Sequence, residues 1–420
     1  MRIAVLYQHF LGPGEPGLSR FDDLSRRWVE AGHHVTVVAG SVNYQTGRPV
    51  ASWRGGMINR SQDQGVDVIR CYVPRSYSAG YAGRRTAYGV LAISAAFGAL
   101  AAGRVDVLVA SSPPLPLVVP AWLKARWPFA RVPWIFEVRD LWPESAITTG
   151  VVSRSAPLTS ALFYLEKWAS ASAERLVALT PAIADDLVGR SLVARKKVRV
   201  LPNGVDIGLF RPLISGAEVR RQMGFADRFI ALYAGAHGRA NALRQLLDAA
   251  EALRDRPDIL IAFAGDGPER KGLEQEASER QLSNVLFLGP QPKSRMPDLI
   301  NAADIGLAVL QRNPTFLSVY PNKAFDYMAC EKAVVIAVDG AARKLICSDA
   351  RAGVFAEPEN GQAIASAIEH LANDSALRRE LAANGRRWAV ENVSWDIIAR
   401  KYLDLFQELT DQGVAARSVS

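Results

Sequence analysis

Lys323 and Asp326 stand three residues apart in the stretch PNKAFDY, and Pro321 is placed to open a helix there. A spacing of three puts both side chains on one helix face. A cation in a first turn opposes the helix dipole, so Lys323 calls for an anionic partner. The Asp326 carboxylate can accept hydrogen bonds from hydroxyl groups. An ordinary intrahelical pair is the plainer reading of the same two residues. Glycines form a second set. Gly235 and Gly238, in YAGAHGR, follow an apolar run and precede a helix expected to begin near Arg239 or Ala240. Free N–H groups at a helix start suit a diphosphate, and His237 could donate to it. A plain strand-to-helix turn is the alternative. AGDGPER repeats the theme at Gly265 and Gly267, and Lys293 follows the next apolar run. A third set lies in FEVRDLWPES, where Glu137, Arg139, Asp140 and Glu144 cluster after an apolar run. Buried charges there demand partners. A network holding the loop accounts for Glu137 and Arg139, whereas Asp140, at the turn itself, is expected to face a ligand.

The stretch YQHFLGPGEPGLSR satisfies G-x-G-x-x-G at Gly12, Gly14 and Gly17. A dinucleotide site would use the free N–H groups of such a loop. Pro13 and Pro16 each remove one, and Glu15 would set a negative charge beside a phosphate. The next apolar run, HVTVVAG, ends in Gly40, Ser41 and Val42, where a ribose-binding acid is required. Two readings survive: a Gly/Pro-rich loop before a helix starting near Ser19, or a loop lining a cleft for some other ligand.

The elements that must position these residues follow from length and rhythm. A chain of 420 residues is long for one domain. It is 49% apolar and 22% charged, and its three cysteines, Cys71, Cys330 and Cys347, have no metal-ligand spacing, which fits a reducing compartment. The opening MRIAVLYQHF reads as a core strand rather than a signal peptide. Strands are expected at 2–7, 34–40, 67–72, 106–111, 133–138, 175–179 and 198–201. A second series covers 229–235, 258–267, 284–290, 305–310, 333–338 and 353–357. Continuous apolar runs separated by helical stretches describe parallel strands buried on both faces. The expected fold is α/β, two doubly wound Rossmann-like domains facing across a cleft, with ligands at the carboxyl ends of the strands. The break falls in the turn-rich LPNGVDIGLFRP, giving domains at 1–203 and 204–390, with a C-terminal helix at 391–411 expected to pack back on the first.

Charge is uneven. Residues 1–200 hold 24 Lys/Arg and 14 Asp/Glu, whereas residues 201–420 hold 26 and 28. The basic half could attract anionic lipid or phosphorylated ligands. No zinc spacing or RNA-binding signature points to nucleic acid. The segment RRTAYGVLAISAAFGALAAGR (84–104) has 18 uncharged residues between basic flanks, the lower limit for a spanning helix. It is rich in Ala and Gly, and a strand follows at once. It reads as a helix of the first domain with a membrane-touching face.

Taken together, the first loop, EVRDLWPES, LPNGVD, YAGAHG, GDGPER, PNKAFDYMACEKAVVIA and the closing VSWDIIARKYLDLF resemble glycosyltransferase family 4, retaining enzymes of GT-B fold. The likeness runs over essentially the whole chain, and the pattern is similar to a WbuB-like subgroup of surface-polysaccharide glycosyltransferases. The resemblance implies transfer of a sugar, such as an N-acetylated or deoxy amino hexose, from a nucleotide-sugar donor, UDP-linked, to a lipid-linked or saccharide acceptor. It implies front-face attack with the leaving phosphate helping to take the acceptor proton. It assigns Asp140, Arg139, Glu144 and Gly17 to the catalytic side. It assigns Gly235, His237, Gly238, Arg239, Gly265, Gly267, Lys293, Asn322, Lys323 and Asp326 to the donor. Under it, Gly14 and Gly17 line the cleft, and Asp326 takes the place of an acid that holds the donor ribose. Three departures stand out. Ser318 lies eight residues before Asp326, where many members have Glu, and Asp replaces the second Glu. Arg139 stands where many have His. Ala236 and Asn241 stand where many have cations on the diphosphate, which Lys323, Arg239 or His237 could replace. No two aspartates are spaced D-x-D, so no metal or cofactor is expected, only cytoplasmic placement with peripheral contact to anionic membrane. A GT-B sugar epimerase and a non-catalytic membrane- or partner-binding module on the same fold are the alternatives.

Overall fold

A computed structural model describes residues 1–12, 15, 17, 19–44, 46–75, 80–126, 131–148, 153, 156–213, 215–222 and 227–418. Pro13, Gly14 and Pro16 of the first loop lie outside the described residues. The chain divides into two compact units, Met1–Pro202 with Ile398–Ser420, and Asn203–Ile397.

The first unit is built on eight strands: β1 (Arg2–Leu6), β2 (His34–Gly40), β3 (Ile58–Asp63), β4 (Val66–Cys71), β5 (Val107–Ser112), β6 (Trp134–Val138), β7 (Arg175–Ala178) and β8 (Val198–Val200). Their order is β3-β4-β2-β1-β5-β6-β7-β8. All neighbours run parallel except β3, which pairs antiparallel with β4 from Ile58↔Cys71 to Asp63↔Val66. Sequence reading missed β3 because INRSQD is polar, half covered and at an edge, so it lacks the apolar run that marks the others. β1 pairs with β2 from Arg2↔His34 and with β5 from Ile3↔Val107. The chain builds outward on one side of β1 and then returns to the other, so the switch point lies between β1 and β5.

The helix Arg20–Glu30 buries Phe21, Leu24 and Trp28 at helical spacing. Trp28 meets the C-terminal helix, with ring centroids 5.6 Å from Tyr402 and 5.1 Å from Phe406, and its indole N–H donates to the Ala399 carbonyl at 3.2 Å. Arg175 and Arg199 both pair with Glu408 of that helix.

The second unit has six strands, all parallel: β9 (Phe229–Ala234), β10 (Ile259–Ala264), β11 (Val285–Gly289), β12 (Ile305–Val309), β13 (Ala333–Ala337) and β14 (Gly353–Phe355). Their order is β11-β10-β9-β12-β13-β14, which puts the switch point between β9 and β12. β10, β12 and β13 are buried end to end, whereas the edge strand β11 is only half covered.

Candidate functional site

In the second unit the residues leaving β9 and β10 are laced together. The Gly235 N–H donates to the Ala264 carbonyl at 2.9 Å, and the His237 N–H to the Asp266 carbonyl at 2.8 Å. Gly265, at φ +144°, sits against the Gly235 backbone. A Cβ there would stand 1.9 Å from the Gly235 oxygen, so no larger residue fits. A Cβ on Gly267 would stand 2.5 Å from the His237 oxygen. These glycines hold two loops in contact.

The helix expected at Arg239 or Ala240 starts later. Arg239–Asn241 form a 3-10 turn, Ala242 is left-handed at φ +45°, and the α-helix runs Arg244–Ala252. The Ala240 carbonyl is taken instead by the Gln311 N–H at 2.9 Å, just past β12. The long helix therefore does not present its N-terminus directly after Gly238.

A cation reaches the loop from elsewhere. The helix after Pro321 runs Asn322–Ala329, one residue later than expected, and Lys323 lies in its first turn. The Lys323 ammonium donates to the Tyr233 hydroxyl at 2.8 Å and to Asn241 Oδ1 at 3.2 Å, 4.0 Å from the Tyr233 ring centroid. A Cβ on Gly235 would stand 3.3 Å from it. Tyr233 and Asn241 each donate in turn to the Ala236 carbonyl, at 2.7 and 3.0 Å. Asn241 thus positions a cation instead of being one. Burial pushes the Lys323 pKa down to about 7, against the opposing charge of Asp326. Burial pushes Asp326 up to about 7, against Lys293 and Lys323. Yet Lys323 and Asp326 form no ion pair, so the intrahelical-pair reading fails. The Asp326 carboxylate makes no hydrogen bond or ion pair among the described residues.

The other donor-side residues fall into two groups. Gly235, Gly265, Gly267 and Lys323 gather at the switch point. His237 is fully buried against Phe263, centroids 6.1 Å apart, with neither ring nitrogen bonded and its pKa lowered by burial. Such a ring packs the loop. Arg239 is exposed, with Glu269 at 3.8 Å. Lys293 is exposed in the turn Lys293–Arg295 and acts on Asp326 through its charge. Asn322 accepts from Asn203 at 2.9 Å. Gly238 caps the 3-10 turn. Ser318 is buried and donates to the Thr315 carbonyl at 3.2 Å.

In the first unit the expected Glu137–Arg139 network is replaced by another. Glu137 is wholly buried and pairs with Arg20 at 3.1 Å. It also accepts from Ser111 at 2.8 Å and from the Tyr402 hydroxyl. Arg20 further donates to the Leu201 and Pro202 carbonyls at 2.9 and 2.7 Å. The three partners of Glu137 come from three elements, so the network ties β6 to β5, the Arg20–Glu30 helix and the C-terminal helix. Arg139 turns elsewhere. Its guanidinium lies 5.0 Å from the Tyr7 ring centroid and donates to the Pro113 carbonyl at 2.9 Å. It helps burial hold the His9 pKa near about 3.

The polar run Tyr7-Gln8-His9 past β1, with Ser112 at the end of β5, was missed by sequence reasoning. The signal was there: polar residues directly after a core strand at a switch point. Among the described residues the Gln8 amide is buried with neither end bonded, as is the Ser112 hydroxyl. Asp140 has its carboxyl raised by burial against Arg139, and its side chain has no partner among the described residues. Glu144 opens the short helix Glu144–Thr148.

Gly17, at φ +127°, lies under Leu11 and Tyr44. Glu15 is not free to face a phosphate, because it accepts from the Ala51 N–H at 2.8 Å and from Asn43 at 3.0 Å. Buried Arg70 completes the loop's support through the Phe10 and Gly40 carbonyls.

Two Rossmann-like units with open switch points define a GT-B protein, and the chain matches solved structures of that fold from end to end. HepE of Anabaena, crystallised in complex with UDP, is 17% identical with a TM-score of 0.71, over 97% of this chain and 100% of that one. Sucrose-phosphate synthase of Thermosynechococcus elongatus is 19% identical with a TM-score of 0.71, over 98% and 100%. Residues 19–204 match the glycosyl transferase 4-like domain, and residues 217–388 match the glycosyl transferases group 1 family. A D-inositol 3-phosphate glycosyltransferase of Salinispora arenicola is 31% identical over 261 residues, 58% of this chain and 56% of that one. This chain therefore spans about half the length of such relatives. WcaI of Escherichia coli K12, a glycosyl transferase named for colanic acid biosynthesis, is 25% identical over 404 residues, 91% of this chain and 95% of that one.

Proposed function

We propose that this chain transfers a sugar from a nucleotide-sugar donor, held by the second unit, to a lipid-linked or saccharide acceptor. One observation carries the reading: at the β9–β12 switch point a cation is fixed by Tyr233 and Asn241, one helical turn from a carboxylate without donors among the described residues. The cation suits a leaving diphosphate, and the carboxylate suits ribose hydroxyls. Arg139, Asp140 and the unbonded Gln8 amide would meet the acceptor side. HepE, crystallised in complex with UDP, supports UDP as the nucleotide. The WcaI name, over nearly its whole length, supports surface-polysaccharide assembly. Within that reading we place the chain with WbuB-like enzymes acting on an amino hexose, with retention and without a metal. The motif set supports this placement, and Lys323 supplies the charge a metal would otherwise bring.

The test is turnover of UDP-, GDP- and ADP-sugars by the purified chain, with and without a lipid extract as acceptor, in excess EDTA. The expected result is acceptor-dependent release of UDP that EDTA leaves intact. A sugar altered without acceptor would make the protein an epimerase. Nucleotide binding with no turnover under any condition would make it a binding module. Loss in EDTA with recovery on Mg²⁺ or Mn²⁺ would reject the metal-free site.

A further inference from the structure

The first unit leaves an apolar stripe uncovered. On the helix Gly80–Ala101, Ile93, Phe97 and Leu100 are 61%, 54% and 41% exposed, spaced four and three apart on one face. The helix Val118–Ala125 packs beside it and exposes Val119 and Leu123, four apart. Exposed large apolar residues that cluster rather than scatter mark an interaction surface.

The charges around the stripe say which kind. Residues 68–136 contain eight Lys/Arg and one acid, Asp106, which Arg2 already holds at 2.9 Å; of the eight, Arg70 is buried and Arg126 pairs with Glu174 at 2.8 Å. Cations gather where the Gly80–Ala101 helix ends. Arg60 donates to the Ala101 carbonyl, Lys124 to the Gly103 carbonyl, and Arg104 is exposed beside them. Arg85 is exposed near the other end. A second copy of this face would bring cations against cations. An anionic bilayer offers an apolar layer for the stripe and phosphates for its rim. No helix among the described residues is long and apolar enough to cross a membrane, so the contact is with the interface.

We propose that this face lies on an anionic lipid bilayer. Ile93, Phe97, Leu100, Val119 and Leu123 enter the interface, and Arg60, Arg104 and Lys124 sit at phosphate level. The inference goes beyond glycosyl transfer and stands without it, because binding is read with no donor present.

The test is sedimentation of the full chain with vesicles of phosphatidylcholine alone or mixed with phosphatidylglycerol. The chain should bind the mixed vesicles at low salt, leave them at high salt and ignore the neutral ones. The double variant Phe97→Ser/Leu100→Ser should bind at least about tenfold more weakly with unchanged melting, since both side chains are exposed. Arg85→Gln and Arg104→Gln should each cost about fivefold, and Arg387→Gln on the second unit should cost nothing. Parent-level binding by the Phe97→Ser/Leu100→Ser variant, or equal binding to neutral vesicles, would overturn the proposal. So would a parent dimer that this variant abolishes while vesicle binding is unchanged, which would assign the face to a second copy.

Discussion

Glu137 and Asp326 are both acids set close to the end of a core element, and their surroundings differ in one respect. Glu137 has no exposed surface and is fully provided for, with Arg20, Ser111 and Tyr402 around it. Asp326 is half-buried and receives no hydrogen bond among the described residues, although Lys323 shares its helix face and Lys293 adds a further positive charge. Burying a charge is costly, and the cost is met within the fold only when partners are present. Glu137 is therefore part of the framework. Asp326 has no such provision among the described residues, and under the proposed function donor hydroxyls would supply it. Arg139 and Lys323 make the same contrast among cations. Each lies over a tyrosine ring, Tyr7 and Tyr233, yet only Lys323 is clamped by two side chains.

The largest effect should come from Glu137→Ala. It strands the Arg20 guanidinium in the core and should destabilise the first unit by roughly 3–5 kcal/mol, read by urea denaturation. A change within the range of ordinary surface substitutions would mean that Glu137 is not framework, and the comparison would break.

Asp326→Asn comes next and should divide stability from binding. UDP affinity should fall by roughly 1–3 kcal/mol with the fold intact. The folded pKa of Asp326, about 7, lies above the ordinary 3.8. Its stabilising contribution is therefore complete below the unfolded value and lost as pH rises through the folded one. Melting of Asp326→Asn should accordingly match the parent near about pH 4 and exceed it above about pH 7. Lys323 carries the opposite sign, its contribution being full above its ordinary 10.5 and lost as pH falls to about 7. A variant less stable than its parent at neutral pH would put Asp326 with Glu137.

The smallest effect sharpens the clamp. Tyr233→Phe removes the hydroxyl between Lys323 and the Ala236 carbonyl. It should weaken UDP binding by roughly 0.5–1.5 kcal/mol, seen by calorimetry, while leaving uridine binding unchanged if the clamp serves the diphosphate. Equal losses for both ligands would move Tyr233 to the nucleoside.

Thirteen of the fourteen strands among the described residues were legible as apolar runs, because a parallel strand buried on both faces has to be apolar throughout. β3 was not, because its antiparallel edge position relaxes that demand. The glycine loops after β9 and β10 were legible too, since close backbone approach excludes every other residue. The helix start at Arg244 was not: the Ala240 carbonyl is claimed by Gln311, seventy-one residues later in the chain. That Glu137 belongs to an internal Arg–carboxylate network was legible, but its partners Arg20 and Tyr402 were not, for the same reason: both are remote in sequence.

What residue order settled, then, was whatever depends on neighbours: the alternation of strand and helix, the glycines at strand ends, and Lys323 with Asp326 on one helix face. Folding alone decided which charges are answered. Lys323 finds Tyr233 and Asn241 ninety and eighty-two residues away, Glu137 finds Arg20 and Tyr402, and Asp326 finds no one among the described residues. Hydrogen bonds and ion pairs act over a few ångströms, and only the packing of distant elements brings their partners within that reach.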